Sequence, residues 1–137
     1  MLIDRQKPNL HPHREGVAAV ELAVCLPVIV VLVFAAIESC SMIYITQALH
    51  CATYEGVRAA VLPTAENGQV LQRTQQILDG HGIKGTTITL VPSDVSNADP
   101  GQLVRVRIRT SCDANRISPS FFFGGRNVEV QTTMVKE

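Results

Sequence analysis

Residues 17–37 read VAAVELAVCLPVIVVLVFAAI, a run whose residues are all apolar except Glu21 and Pro27. As a helix it would extend about 30 Å, enough to cross the hydrocarbon core of a bilayer. A buried helix of a soluble protein keeps one polar face, whereas residues 22–37 are apolar all round. The run is therefore expected to lie in a membrane. Arg5, Lys7 and Arg14 precede it and the next basic residue is Arg58, so the positive-inside bias puts the N-terminus in the cytoplasm and residues 39–137 on the other side.

The rest of the composition fits one small extracytoplasmic domain. The 137 residues carry 12 Lys+Arg and 12 Asp+Glu, with 4% aromatic residues and no Trp. Such a balance produces no positive field to gather nucleic acid, and nucleic acid is not an expected partner. Charge is unevenly spread, with five charges in the first 16 residues and one in the next 21. The chain has no G-x-S-x-G elbow, phosphate loop, H-E-x-x-H helix or Cys/His/Asp set, so no enzyme activity is expected.

Three kinds of membrane segment compete: a plain signal anchor, a secretory signal that is removed, and a leader cut on the cytoplasmic side of the helix. Conventional cleavage needs small residues after the apolar core, and the candidates Ala35, Ala36, Ser39 and Cys40 are flanked by Glu38. A lipid on Cys40 would place that same charge inside the recognition stretch. Glu21 distinguishes the third reading. A carboxylate well inside a bilayer costs on the order of 2.5–3.5 kcal/mol on insertion scales, and such residues usually have a partner or a function. Glu21 lies only about 6 Å into the span, so reaching back to the interface is the plain alternative.

The segment REGVAAVELAVCLP from Arg14, the Ile37-Glu38 step and ATYEGVRAA from Ala52 to Ala60 together resemble the TadE-like family, pilin-related proteins of bacterial tight-adherence pilus and secretion machines. The resemblance covers about residues 14–60. It implies cleavage by a prepilin peptidase between Gly16 and Val17, and an assembly role for Glu21. Partners would be other pilin or pseudopilin subunits, the inner-membrane assembly platform and the lipid bilayer. Leu22 stands where an aromatic is common in that family, and Ser39-Cys40 where Phe-Gly is frequent. Cleavage would create an α-amino group on Val17, one helical turn from Glu21. At an effective dielectric near 20, opposite charges about 4 Å apart attract by roughly 4 kcal/mol before desolvation is counted. The competing expectation is an unprocessed single-pass protein whose external head binds a ligand or partner.

The expected organisation is a leader over 1–16, a membrane helix over 17–38 and an α+β pilin-like head over 39–137. Helical character should continue to Leu62 before Pro63, with a kink at Pro27. Ile45, Ala48, Leu49, Ala52, Gly56 and Ala59 fall on one stripe of mostly small residues suited to close packing. Val70, Leu71, Thr74, Ile77 and Leu78 predict a short amphipathic helix stopped by Gly80. Period-two alternation over 86–91, 103–110 and 127–135 predicts a small antiparallel sheet.

Within that sheet Arg105, Arg107 and Arg109 share one face, read either as a solvated surface balanced by Glu129 or as a docking stripe for an acidic patch of another subunit. Cys40 and Cys51 are too far apart on one helix to pair. Cys51 with Cys112 is the candidate crosslink, weighed against two free packed thiols, with Cys40 and Cys112 the weaker alternative. No metal or other cofactor is expected: His11 and His13 fall in the leader, His50-Cys51 lacks further ligands, and 92–101 reads as a turn-rich loop. Phe121-Phe122-Phe123 suits either a core plug or an exposed contact.

Overall fold

The computed structural model describes residues 13–115, 122 and 124–137, with side chains from Gly16 onward. The order of elements is α1 (His13–Ala60), α2 (Asn67–Gly80), β1 (Thr86–Val91), β2 (Leu103–Ser111), α3 (Cys112–Asn115) and β3 (Asn127–Val135). This is the α+β arrangement expected. The chain divides after Ala35 into two compact units, Met1–Ala35 and Ala36–Glu137.

In the first unit, α1 runs without interruption through Pro27. Pro27 supplies no N–H, so the carbonyl one turn earlier loses its helical donor. All side chains from Gly16 to Phe34 are exposed. The twelve large apolar ones among them range from 38% exposed at Phe34 to 70% at Val24. Leaving each such side chain in water forgoes about 1.5–3 kcal/mol. Summed along the run, that exceeds the net stability of a typical domain, about 5–15 kcal/mol. The segment therefore needs lipid or another apolar surface, and it is the one helix among the described residues long and apolar enough to cross a membrane.

The second unit has its own core. Ile45, Ala48, Leu49, Ala52 and Gly56 of α1 are buried, as the small-residue stripe predicts, and Ala59 is half-buried. From α2 the same core receives Val70, Thr74 and Leu78, whose i, i+4 spacing aligns them on one face. The sheet has the order β1-β2-β3 and both pairings are antiparallel. Register sets Ile88, Ile108 and Val130 side by side, and Leu90 beside Val106 and Thr132. Alternation then sends Val104, Val106, Ile108 and Thr110 inward and the intervening arginines outward. A bond of 2.9 Å from Thr132 Oγ1 to Thr53 Oγ1 ties the inner face to α1.

Several details differ from the sequence reading. α2 ends at Gly80 as expected, but the left-handed cap beyond it is Gly82: Gly82 takes φ +69°, and Ile83 N–H donates to Leu78 O while Gly82 N–H donates to Asp79 O, both at 2.9 Å. That left-handed position suits glycine, and Ile83 buries itself against the helix end. The short α3 was not expected. Its Asn115 accounts for it, since Asn115 Oδ1 accepts from Lys84 N–H and its Nδ2 donates to Lys84 O, Ser111 O and Thr110 Oγ1. The 92–101 loop is held by Asn67, which donates to Ser93 O and accepts from Val95 N–H.

Candidate assembly site

The residues singled out in the sequence fall into separate places. Gly16, Val17 and Glu21 lie on the exposed apolar part of α1. The proposed scissile bond is within the first turns of that helix, where the leading N–H groups have no intrahelical acceptor and fraying is cheap. Glu21 is exposed on a helix whose other side chains from Val17 to Phe34 carry no charge.

Gly56 of α1 packs directly against Thr74 of α2. A methyl group built there would overlap Thr74 Oγ1 and come within 3.4 Å of Val106 Cγ1. Thr74 cannot swing away freely, because its hydroxyl donates to Val70 O at 2.8 Å and its β-branched side chain is stiff in a helix. The glycine of the ATYEGVRAA stretch is therefore a packing requirement of the head.

Glu38 carries a role that the sequence reading did not give it. Its side chain is only 6% exposed, and Oε2 accepts the Phe122 N–H at 2.9 Å. The carboxylate thus anchors a loop 84 positions away in sequence. Its signal was the charge at the end of the apolar run, which invites a functional question that Glu21 had already drawn to itself. Phe122 is exposed, and Phe121 and Phe123 lie outside the described residues.

Lys136 was also overlooked. It is 5% exposed, and its ammonium donates to Val95 O. Asp94, next to Val95, accepts from the Ser96 N–H and hydroxyl and from Asn97 Nδ2. The bonds from Ser96 hold the Asp94 carboxyl below its ordinary pKa, with a smaller contribution from Lys136. These partners engage the Asp94 carboxylate within its own turn-rich loop. No cluster of three or more candidate metal ligands occurs among the described residues.

On the outer sheet face, Arg105 Nε donates to Thr133 Oγ1 at 3.1 Å and Arg107 Nη2 to Gln131 Oε1 at 3.2 Å. Glu129 stands opposite Arg109 in register, yet its Oε1 is 3.3 Å from Arg107 Nε. Arg109 is exposed. The three arginines do share a face, and one carboxylate on β3 offsets part of their charge.

The Cys51–Cys112 crosslink is not present. All four cysteines are free thiols; Cys51 is exposed and Cys112 buried. Cys112 Sγ contacts Met42 Sδ at 3.2 Å, and Met42 is nine residues before Cys51, about 14 Å along the helix. The strand end meets α1 nearer the membrane side than the crosslink requires. Cys40, the weaker alternative, is exposed and also unpaired. Burial, with a lesser push from Asp113, raises the Cys112 thiol pKa and keeps it protonated.

Residues 16–58 match the TadE-like protein family. The TadE-like match begins at the proposed cleavage glycine, takes in Glu21, Pro27, Glu38 and Gly56, and ends before α2 and the sheet. The resemblance read from the sequence is borne out over that segment, and it points to a protein associated with a tight-adherence pilus. No curated protein and no solved structure matches the chain.

Proposed function

We propose that this chain is a minor pilin or pseudopilin of a tight-adherence, type IVb-like pilus or secretion system. It enters the bacterial inner membrane with its N-terminus in the cytoplasm and its head in the periplasm or beyond. A prepilin peptidase cuts between Gly16 and Val17, and the apolar helix then packs with other subunits on the assembly platform. The observation that carries this reading is a TadE-like segment whose large apolar side chains are all exposed from Val17 to Phe34.

Each chemical element has a place in the scheme. The new amine on Val17 meets the carboxylate of Glu21, on its own helix or on a neighbour's, and the pair neutralises charge at the membrane edge. Pro27 weakens the backbone ladder inside the span and eases bending during packing. Arg105, Arg107 and Arg109 offer an acidic patch of a neighbouring subunit a row of donors on a rigid sheet. The protein acts by assembly rather than by catalysis.

The test is the mass and N-terminal residue of the chain purified from membranes. A chain beginning at Val17 supports the proposal. An intact Met1–Gly16 segment in cells with an active peptidase overturns processing and favours a single-pass protein with an independently binding head.

A further inference from the structure

Where the apolar run ends, one side of α1 becomes the wall of a cavity of about 590 Å³, a size typical of small-molecule sites. Ala36, Ile37, Cys40, Ser41 and Tyr44 supply this wall, and their spacing keeps them on one side of the helix. The opposite wall comes from His81, Gly82, Ile83 and Asn115. Gly82 shapes it, because its φ of +69° turns the chain back beyond the end of α2.

The polar side chains around the cavity are already engaged. Tyr44 donates its hydroxyl to His81 O at 3.0 Å, and its ring meets the His81 ring at 71° with centroids 6.2 Å apart. Ser41 donates to Ile37 O at 3.0 Å. The Asn115 amide is taken up by the backbone of Lys84 and Ser111 and by the Thr110 hydroxyl. Among the described residues, none that lines the cavity is Asp, Glu, Lys or Arg. Such a site selects its ligand by apolar contact rather than by charge.

We infer that the cavity takes an acyl chain of a lipid from the membrane in which the protein stands. The inference rests on the membrane reading proposed above, and continuity selects the occupant. Ala36 and Ile37 are at once the last residues of the apolar run and the first of the cavity wall. Glu38, the charge that follows them, is buried and turned to the Phe122 amide instead. Apolar surface therefore passes from the run into the cavity, and Ile37, 42% exposed, sits at the junction. The same Glu38 bond holds Phe122, 51% exposed, at that level. Acyl chains are the apolar groups that a bilayer supplies there, and a chain that rises along α1 exchanges one apolar environment for another.

Intrinsic fluorescence tests this directly, because the chain has no Trp and two Tyr, of which Tyr44 lines the cavity and Tyr54 does not. Full-length Tyr54→Phe leaves Tyr44 as the emitter, and Tyr44→Phe leaves Tyr54. Each is reconstituted in vesicles of phosphatidylcholine and of phosphatidylcholine brominated near the middle of its acyl chains. Bromine quenches at contact range. Tyr44 lies seven residues beyond Ile37, about 10 Å along the helix, so a mid-chain bromine meets it only when the chain enters the cavity.

Tyr44 is expected to lose most of its emission in the brominated vesicles, and Tyr54 to keep its own. Cys40→Phe, added to Tyr54→Phe, fills part of the cavity from an exposed position and is expected to restore the Tyr44 emission. Equal quenching of the two tyrosines overturns the inference, as does Tyr44 emission that bromine leaves unchanged. Quenching that persists in full in a folded Cys40→Phe variant also overturns it, because the chain then reaches Tyr44 by another way. The comparison of the two tyrosines stands by itself should Cys40→Phe fail to fold. Flotation of the same vesicles separates the two readings: protein that does not float defeats the membrane proposal and this inference together, while embedded protein without Tyr44-specific quenching defeats this inference alone.

Discussion

Gly56 on α1 faces Thr74 on α2 with no room for even a methyl group between them. Gly56→Ala should gain about 1 kcal/mol of helix propensity and lose about 1–3 kcal/mol to overpacking. The expected net effect is a less stable head, measured as a lower midpoint of thermal or urea unfolding. Gly56→Ala combined with Thr74→Ser keeps the hydroxyl in the crowded place and should not recover the loss, whereas Thr74→Ala should recover part of it.

Glu21 is expected to act through its charge. Glu21→Gln keeps size and polarity but cannot neutralise an amine at residue 17, so the variant should insert normally and assemble poorly. Quantifying filament- or complex-associated protein against total membrane protein checks this. Assembly equal to wild type would sink the charge-pairing role.

The cysteines should separate clearly by reactivity. Cys40 and Cys51 are exposed, while Cys112 is buried against Met42 with its thiol pKa raised. Mass spectrometry after brief maleimide treatment should find the first two labelled and Cys112 labelled only after unfolding. Because the thiolate is the nucleophile, raising the pH should speed any residual labelling of Cys112.

Arg105, Arg107 and Arg109 contribute little to folding in their solvent-facing positions. Exposed ion pairs such as Arg107–Glu129 are worth about 0–1 kcal/mol. Replacing all three arginines with Ser should therefore shift the unfolding midpoint slightly while weakening association with partner subunits, with salt reproducing the effect on wild type. Binding that is unchanged in the triple variant would assign the stripe to solvation alone.

The helix and the sheet were legible in the sequence because burial writes a period into it. The apolar run announced α1, and alternation of valine with arginine set both the existence and the facing of β2. Cys51 and Cys112 were misjudged as a pair because their distance depends on where the end of β2 lands along α1, which no local pattern encodes. The end of α2 at Gly80 was legible, whereas the left-handed cap at Gly82 depends on the burial of Ile83, which no local pattern encodes. Glu38 and Lys136 were missed because their partners, the Phe122 amide and the Val95 carbonyl, are backbone groups brought from elsewhere in the chain. Backbone partners leave no residue-type signature.

The hydrophobic core draws all its members from Ile45 onward, and none comes from the apolar run. The core of the second unit is thus built without the apolar run: that unit can be selected for stability through its own buried residues, while the run answers to the apolar surroundings it meets. Substitutions in one half should accumulate with little compensation in the other, and grafting a foreign transmembrane segment ahead of residue 36 should leave the head's melting behaviour intact.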